Sequence, residues 1–255
     1  MQTQTRFLTP EQIERFKADG YLVVRGLYDP DEMQRISRWT DEVSAWPETP
    51  GRHMMYFETS SKDGARILNR LENFEPYHEG FSRLFAADKM LGAISDLFGQ
   101  DAVLLKDKIN FKMPGADGFA PHQDVQAGWH AYGSLHITAM ISVDACTVEN
   151  GCLEMVAGYQ DKGLIGQSWA PLTDQDMAGM QFVPLETEPG DAAFFDSFAP
   201  HRSAPNTTDR ARRVLYVTYN TASEGDQRRR YYEDKRKSYP PDCEREPGKE
   251  YVFRV

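Results

Sequence analysis

From Val103 to Tyr219 the chain is cut into short apolar runs by turn residues, and this texture constrains its fold more than any other feature. The runs Val103–Phe111, His136–Val143, Gly151–Val156, Phe182–Leu185, Ala192–Phe195 and Val214–Tyr219 have strand length, with glycine-, proline- and asparagine-rich turns between them. Short strands at regular spacing predict a mainly β fold, a double-stranded β-helix or jelly roll of the cupin-like kind. The chain before Val103 reads differently. Thr9-Pro10-Glu11-Gln12 combines a capping residue, a proline for the first helical position and early negative charge, which predicts a helix to about Asp19 that stops at Gly20. Tyr21 to Val24 reads as a strand. Asp29-Pro30-Asp31-Glu32 has capping-box spacing and opens a second helix, with Met33, Ile36, Val43 and Trp46 as its apolar stripe up to Pro47. A third helix is predicted around Phe81 to Phe98, burying Leu84, Met90, Leu91, Ile94 and Leu97. The N-terminal helices are expected to pack on one outer face of the roll. No repeat, low-complexity tract or composition break divides the chain, so residues 1–255 are expected to form one domain.

Composition narrows the function. Charged residues make up 27% and hydrophobic ones 40%, as in ordinary globular proteins. A net charge of −10 argues against nucleic acid as partner, while a local cleft can still be cationic. No run approaches the ~18 apolar residues of a membrane span. Met1-Gln2-Thr3-Gln4-Thr5-Arg6 lacks the apolar core of a secretion signal. Three cysteines, Cys146, Cys152 and Cys243, have no paired spacing and favour a reducing compartment, so a cytoplasmic location is expected. The partner these features leave is a small-molecule substrate. Oligomeric state stays open.

Two ligand-bearing segments sit at strand ends. His122-Gln123-Asp124 follows the turn Pro114-Gly115-Ala116-Asp117-Gly118, and His201 follows Pro189-Gly190-Asp191 and the run Ala192-Ala193-Phe194-Phe195. Strand residues spaced i, i+2 point to one face, so His122 and Asp124 are expected to present an imidazole nitrogen and a carboxylate oxygen together. His201 from a distant strand completes two histidines and one carboxylate, the set that non-haem Fe(II) oxygenases use with the remaining positions open. Arg212 adds a permanently charged fork suited to a carboxylate, read here as the distal end of 2-oxoglutarate. Arg213 is expected on the opposite face as a surface ion-pair residue. His53, His78, His130 and His136 lack a carboxylate at i+2 and receive no metal role.

These residues amount to a family resemblance. The chain resembles the phytanoyl-CoA dioxygenase family of Fe(II)- and 2-oxoglutarate-dependent oxygenases over nearly its whole length. The resemblance is carried by Gly20-Tyr21-Leu22-Val23-Val24-Arg25-Gly26-Leu27, Lys108-Ile109-Asn110, His122-Gln123-Asp124 and Glu149-Asn150-Gly151-Cys152-Leu153. It continues through Pro189-Gly190-Asp191 and His201-Arg202-Ser203-Ala204-Pro205-Asn206 to Arg212. The family usually has proline where Cys152 stands and Pro-Gly-Ser-His where Ala157-Gly158-Tyr159-Gln160 stands; these departures leave the ligand residues untouched. The resemblance implies a hydroxylase that uses Fe(II), 2-oxoglutarate and O2. It implies contacts from Lys108 and Asn110 to 2-oxoglutarate or substrate, and a hydroxyl at Ser203 that helps to hold the cosubstrate carboxylate. Asp124 separates the chain from halogenating relatives, which lack the carboxylate ligand. Lys108-Ile109-Asn110-Phe111-Lys112, Asp117-Gly118-Phe119 and Gly128-Trp129 resemble the small-molecule branch, with its hydroxylases of 2-aminoethylphosphonate, trimethylaminoethylphosphonate and ectoine.

Strand parity puts Lys106, Lys108 and Asn110 on one face, which turns inward only if it meets a ligand or water. Trp129, Tyr132, Trp169 and Tyr219 are candidates for an aromatic wall around a cationic group, or for plain packing. Arg66, Asn69, Arg70 and Glu72 lie in a polar stretch that reads most simply as an exposed loop, where related enzymes place a substrate lid. Arg66 and Arg70 there suit a phosphonate, phosphate or carboxylate, and Gln123 is a further substrate candidate. The basic run from Arg228 to Lys237 is expected to be a solvated helix with i, i+4 ion pairs. The leading expectation is hydroxylation of a small polar zwitterion of the aminoethylphosphonate type. An ectoine-like substrate, a cupin-type metal enzyme without 2-oxoglutarate, and a non-catalytic binding protein on the same roll stay open.

Overall fold

The computed structural model describes residues 7–252. Met1 to Arg6, the stretch read for a secretion signal, lies outside them. Helix α1 (Pro10–Asp19) starts as the sequence predicts: Gln12 N–H donates to Thr9 Oγ1, Thr9 N–H donates to Gln12 Oε1, and Gly20 closes the helix at φ 79°. Helix α2 (Pro30–Ser44) has the same reciprocal cap between Asp29 and Glu32. The predicted third helix is two, α3 (Glu79–Ala86) and α4 (Asp88–Phe98), with Ala87 extended between them. The reason is phase. Phe81 and Phe85 continue helically to Asp88 or Lys89, whereas the buried stripe of α4 is Met90, Ile94 and Leu97, and Leu84 and Leu91 are only partly buried.

The strands are β1 (Tyr21–Val24), β2 (Met54–Thr59), β3 (Arg66–Glu72), β4 (Ala102–Lys112), β5 (Phe119–His122), β6 (His136–Ser142), β7 (Leu153–Met155), β8 (Val183–Leu185), β9 (Ala192–Asp196), β10 (His201–Ser203) and β11 (Arg212–Thr221). They form a seven-stranded sheet, β1-β9-β6-β11-β4-β3-β2, and a four-stranded sheet, β5-β10-β7-β8, with antiparallel pairing throughout. This is the predicted jelly roll, and the period of two explains its layers. Ile109, Phe111, Ile137, Ala139, Ile141, Phe194, Leu215 and Val217 point out of the large sheet into a core with α1 to α4. The alternate residues Met140, Ala193, Phe195, Val214 and Tyr216 point inward against Leu153, Met155 and Leu185 of the small sheet.

Two expectations need correction. The polar stretch read as an exposed loop, with a lid left open, is β3 at residues 66–72, inside the large sheet. The basic C-terminal run is a helix, α5 (Arg228–Ser238), with the expected Arg229–Glu233 and Arg230–Asp234 pairs, but only one side of it is solvated. Tyr231 and Tyr232 are buried with Met54, Leu105 and Trp129, and Lys235 and Arg228 reach the buried carboxylates of Glu72 and Asp107 at 2.8 and 2.6 Å. Those acids could not be buried without such partners.

Candidate active site

His122 ends β5 and His201 begins β10, and their Cα positions pair across the small sheet. Asp124 reaches the same point by a different route from the one expected. The strand stops at His122, and Asp124 opens a 3₁₀ turn, Asp124–Ala127. Gln123 holds that turn. Its Nε2 donates to the carbonyls of Gly163 (2.9 Å) and Phe198 (2.6 Å), and its Oε1 accepts from Ile165 N–H at 2.7 Å. Gln123 is fully buried and does not line the cavity, so the expected substrate contact from it is not found.

The donor atoms of His122, Asp124 and His201 lie within 4.8 Å of one another, with Asp124 Oδ1 3.9 Å from each Nε2. Each histidine Nδ1 sits against the carbonyl two residues before it, Ala120 at 2.7 Å and Ala199 at 3.0 Å. Those carbonyls take the ring N–H, which leaves both Nε2 lone pairs facing the shared space. Burial, then the neighbouring His201, lowers the pKa of His122 to about 3, so its ring is neutral at ordinary pH. Burial pushes Asp124 up, but the two histidines and Lys108 outweigh it and hold the carboxylate ionised. Two imidazoles and one carboxylate fit Fe(II).

Arg212 opens β11 and is 1% exposed, and no carboxylate pairs with it among the described residues. Its guanidinium meets Cys146 Sγ and Tyr216, and its Nε has no hydrogen-bond partner. Arg213 faces the other way, as expected, paired with Asp144 and Asp41 at 2.7 and 2.5 Å. The sequence reading missed Lys112, the cross-strand partner of Arg212. Its Nζ donates to Ser203 Oγ (2.8 Å), to Gly151 O (3.2 Å) and to Ala204 O. Burial, and next the Arg212 charge, brings its pKa down to about 7. Extending the Lys106–Lys108–Asn110 stripe by one step finds it. Two adjacent buried cations without a carboxylate make a site for an anion.

Between the sheets lies a cavity of about 670 Å³ that contains the His/Asp/His cluster and Ser203. Lys106, Lys108 and Asn110 line it, so the inward parity is correct. Trp129, Tyr132 and Trp169 line it too. Tyr219 does not: it lies on the outward face of β11 and its hydroxyl donates to Phe85 O. Arg66 is also misplaced by the sequence reading, because it is exposed at the far end of β3, ion-paired with Glu48 at 2.9 Å and stacked on Phe57. Arg70 does face the cavity, 3.0 Å from Glu72 Oε1. Glu72 is fully buried; burial raises its pKa, but Lys106, Lys235 and Arg70 overcome this and keep it ionised. Lys108 has no such partner, and burial, then Lys106, lowers its pKa to about 7. One wall of the cavity therefore carries four cationic side chains around a single carboxylate.

The signature of the phytanoyl-CoA dioxygenase family (PhyH) matches residues 16–214. The chain is 44% identical over 246 residues to a 2-aminoethylphosphonate dioxygenase from the uncultured bacterium HF130_AEPn_1, covering 96% of this chain and 94% of that one. It is 39% identical over 233 residues to a methylphosphonate hydroxylase from Gimesia maris, covering 91% and 88%. Among solved structures it is similar to EctD from S. alaskensis with 2-oxoglutarate and 5-hydroxyectoine, at a TM-score of 0.75 and 18% identity over 88% of this chain and 80% of that one. At that identity the likeness concerns the fold.

Proposed function

Since this chain belongs to the phytanoyl-CoA dioxygenase family and is an Fe(II)- and 2-oxoglutarate-dependent dioxygenase, we propose that it hydroxylates a small zwitterionic phosphonate of the 2-aminoethylphosphonate type. We read residues 1–255 as one catalytic domain working in the cytoplasm. Family membership speaks against the cupin-type enzyme without 2-oxoglutarate and against the non-catalytic binding protein. The observation that carries the substrate proposal is the cationic wall of Arg70, Lys106, Lys108 and Lys235 next to the His/Asp/His cluster. A phosphonate presents two or three anionic oxygens, which an arginine fork and lysine ammonium groups match. The 2-aminoethylphosphonate and methylphosphonate relatives make the same chemistry the first to test.

In this reading His122, Asp124 and His201 hold the iron, Arg212 and Ser203 hold the distal carboxylate of 2-oxoglutarate, and Lys108 and Asn110 border both ligands. Iron, 2-oxoglutarate and O2 together supply the oxidation: a substrate C–H becomes C–OH while the cosubstrate leaves as succinate and CO2. The protein supplies position and exclusion of water. The Ala120 and Ala199 carbonyls keep both imidazoles in the metal-binding tautomer. Gln123 fixes the turn that brings Asp124 to them. Lys112 donates to Ser203 Oγ, which leaves the serine O–H free to donate to a carboxylate beside Arg212. Glu72 spaces Arg70, Lys106 and Lys235 so that the phosphonate meets a fixed array.

The purified enzyme with Fe(II) and 2-oxoglutarate is to be offered 2-aminoethylphosphonate, its N-methylated forms, ectoine, choline phosphate and phytanoyl-CoA, following O2 consumption, succinate and product mass. We expect one oxygen atom gained on the phosphonates and none on the acyl-CoA. Efficient turnover of the acyl-CoA, or of ectoine alone, refutes the phosphonate reading and leaves the iron chemistry standing.

A further inference from the structure

The two phosphonate relatives are named for substrates that differ by an aminomethyl unit, one carbon with its ammonium group, and the cationic wall does not account for the ammonium. A buried ammonium calls for a carboxylate. The acids lining the main cavity are committed elsewhere: Asp124 belongs to the metal cluster, and Asp234 accepts from Tyr132 Oη and pairs with Arg230 and Lys237. Glu250 is exposed, and Glu72 behind the wall is held by three cations.

A second cleft of about 360 Å³ adjoins the first and shares Arg70, Phe119, His122 and Tyr239 with it. It contains Glu58. One carboxylate oxygen of Glu58, Oε1, is out of solvent and has no hydrogen-bond partner, and no lysine or arginine pairs with this residue among the described residues. Its pKa is raised, first by burial, which outweighs the lowering effects of Asn69, the Asp117 N–H and the more distant Lys112. The stacked rings of Tyr56 and Tyr239, 5.4 Å apart, border the same cleft, and the Arg70 guanidinium lies over both. Register sets the spacing. Tyr56 pairs with Arg70 and Arg70 with Asn110, and Glu58 lies two residues past Tyr56 on β2, ~7 Å along the strand. A bulge between Tyr56 and Phe57 intervenes. A phosphonate on Arg70 and a nitrogen on Glu58 therefore suit a short carbon spacer, with His122, which lines both clefts, beside it.

We infer that Glu58 binds the substrate's ammonium and is the specificity residue that favours an aminoalkylphosphonate over an alkylphosphonate without nitrogen. This inference rests on the phosphonate reading above. A cycle of two proteins and two ligands tests it. Wild type and Glu58→Gln, each as the anaerobic complex with Fe(II) and 2-oxoglutarate, are titrated calorimetrically with 2-aminoethylphosphonate and with ethylphosphonate. Loss of one charge-assisted contact corresponds to about a tenfold change in Kd. We expect Glu58→Gln to weaken 2-aminoethylphosphonate by about that factor and to leave ethylphosphonate within about twofold. In the wild type, removing the nitrogen costs a similar factor; in the variant it costs little. Equal weakening of both ligands, or of neither, overturns the assignment of Glu58 while the phosphonate reading stands. A wild type that binds neither phosphonate overturns both. If Glu58→Gln fails to fold, the wild-type pair decides alone: equal affinity for the two ligands removes any ammonium reader from this site.

Discussion

A histidine binds a divalent metal through an unprotonated nitrogen aimed at the ion, and in both site histidines a backbone carbonyl fixes which nitrogen that is. Neither histidine nor Asp124 belongs to an apolar core cluster. His122→Ala and Asp124→Ala should therefore abolish substrate-dependent succinate formation with an essentially native circular dichroism spectrum; wild-type turnover in His122→Ala would sink the assignment. Arg212 and Arg213 make a sharper comparison, since adjacent residues of one strand face the interior, where we propose the cosubstrate carboxylate binds, and a surface ion-pair network. Arg212→Ala should raise the KM for 2-oxoglutarate strongly, by the ~2–5 kcal/mol that losing one partner of a buried charged pair costs, with Fe(II) binding retained. Arg213→Ala should leave that KM unchanged; if it gives the larger effect, the two roles are exchanged. Lys112→Met removes the donor to Ser203 Oγ. It should raise the same KM by less than Arg212→Ala, because the guanidinium contact remains.

At the scale of elements, α5 closes the side of the roll where Tyr232 Oη bonds to both the backbone and the carboxylate of Asp107. Tyr232→Phe keeps the ring and strips those bonds from a fully buried acid. The expected loss is ~1–3 kcal/mol of unfolding free energy, read from urea denaturation. A change below about 0.5 kcal/mol would mean that Arg228 and the Phe74 and Glu75 amides satisfy Asp107 without the tyrosine. This helix also shows where sequence reading runs out. The helices with capping boxes, and strands such as β4, β6 and β11, are legible because their signals are local: a cap, a proline, a run of alternating residues. The polar strands β2 and β3 are not. Arg70 and Glu72 read as loop residues until β4 and α5, far along the chain, supply the partners that let them be buried. Tyr231 and Tyr232, adjacent in a charged run, carry no helical stripe to announce a buried face. The metal cluster was legible because its residue types and order are distinctive, though the expected i, i+2 strand geometry is replaced by a 3₁₀ turn. Glu58 was not, since only the folded cleft tells it from a surface charge, whereas Lys112 lies one step along a stripe that the sequence already shows.

The whole molecule sets a net charge of −10 against a cavity wall rich in basic side chains and the buried Arg212–Lys112 pair proposed to face the cosubstrate. Such a cleft focuses anions locally even though the overall sign opposes them. The cost falls on stability. Lys108 and Lys112 have an ordinary pKa of 10.5 and a folded pKa of about 7, lowered in both cases first by burial and then by a neighbouring cation. Between those values the unfolded chain binds more protons than the folded one, so stability rises with pH across the window. The destabilisation is fully present below about pH 7 and fades as the pH climbs toward 10.5. An anion beside these lysines raises their folded pKa and narrows the window. In thermal unfolding of the ligand-free protein at low ionic strength, Tm should accordingly climb from pH 7 to pH 9. Adding 2-oxoglutarate and 2-aminoethylphosphonate should raise Tm most at pH 7 and flatten the climb. A ligand-free Tm that is level or falls over this range would mean that both lysines stay charged in the empty cavity, and that the anion sites cost the fold nothing.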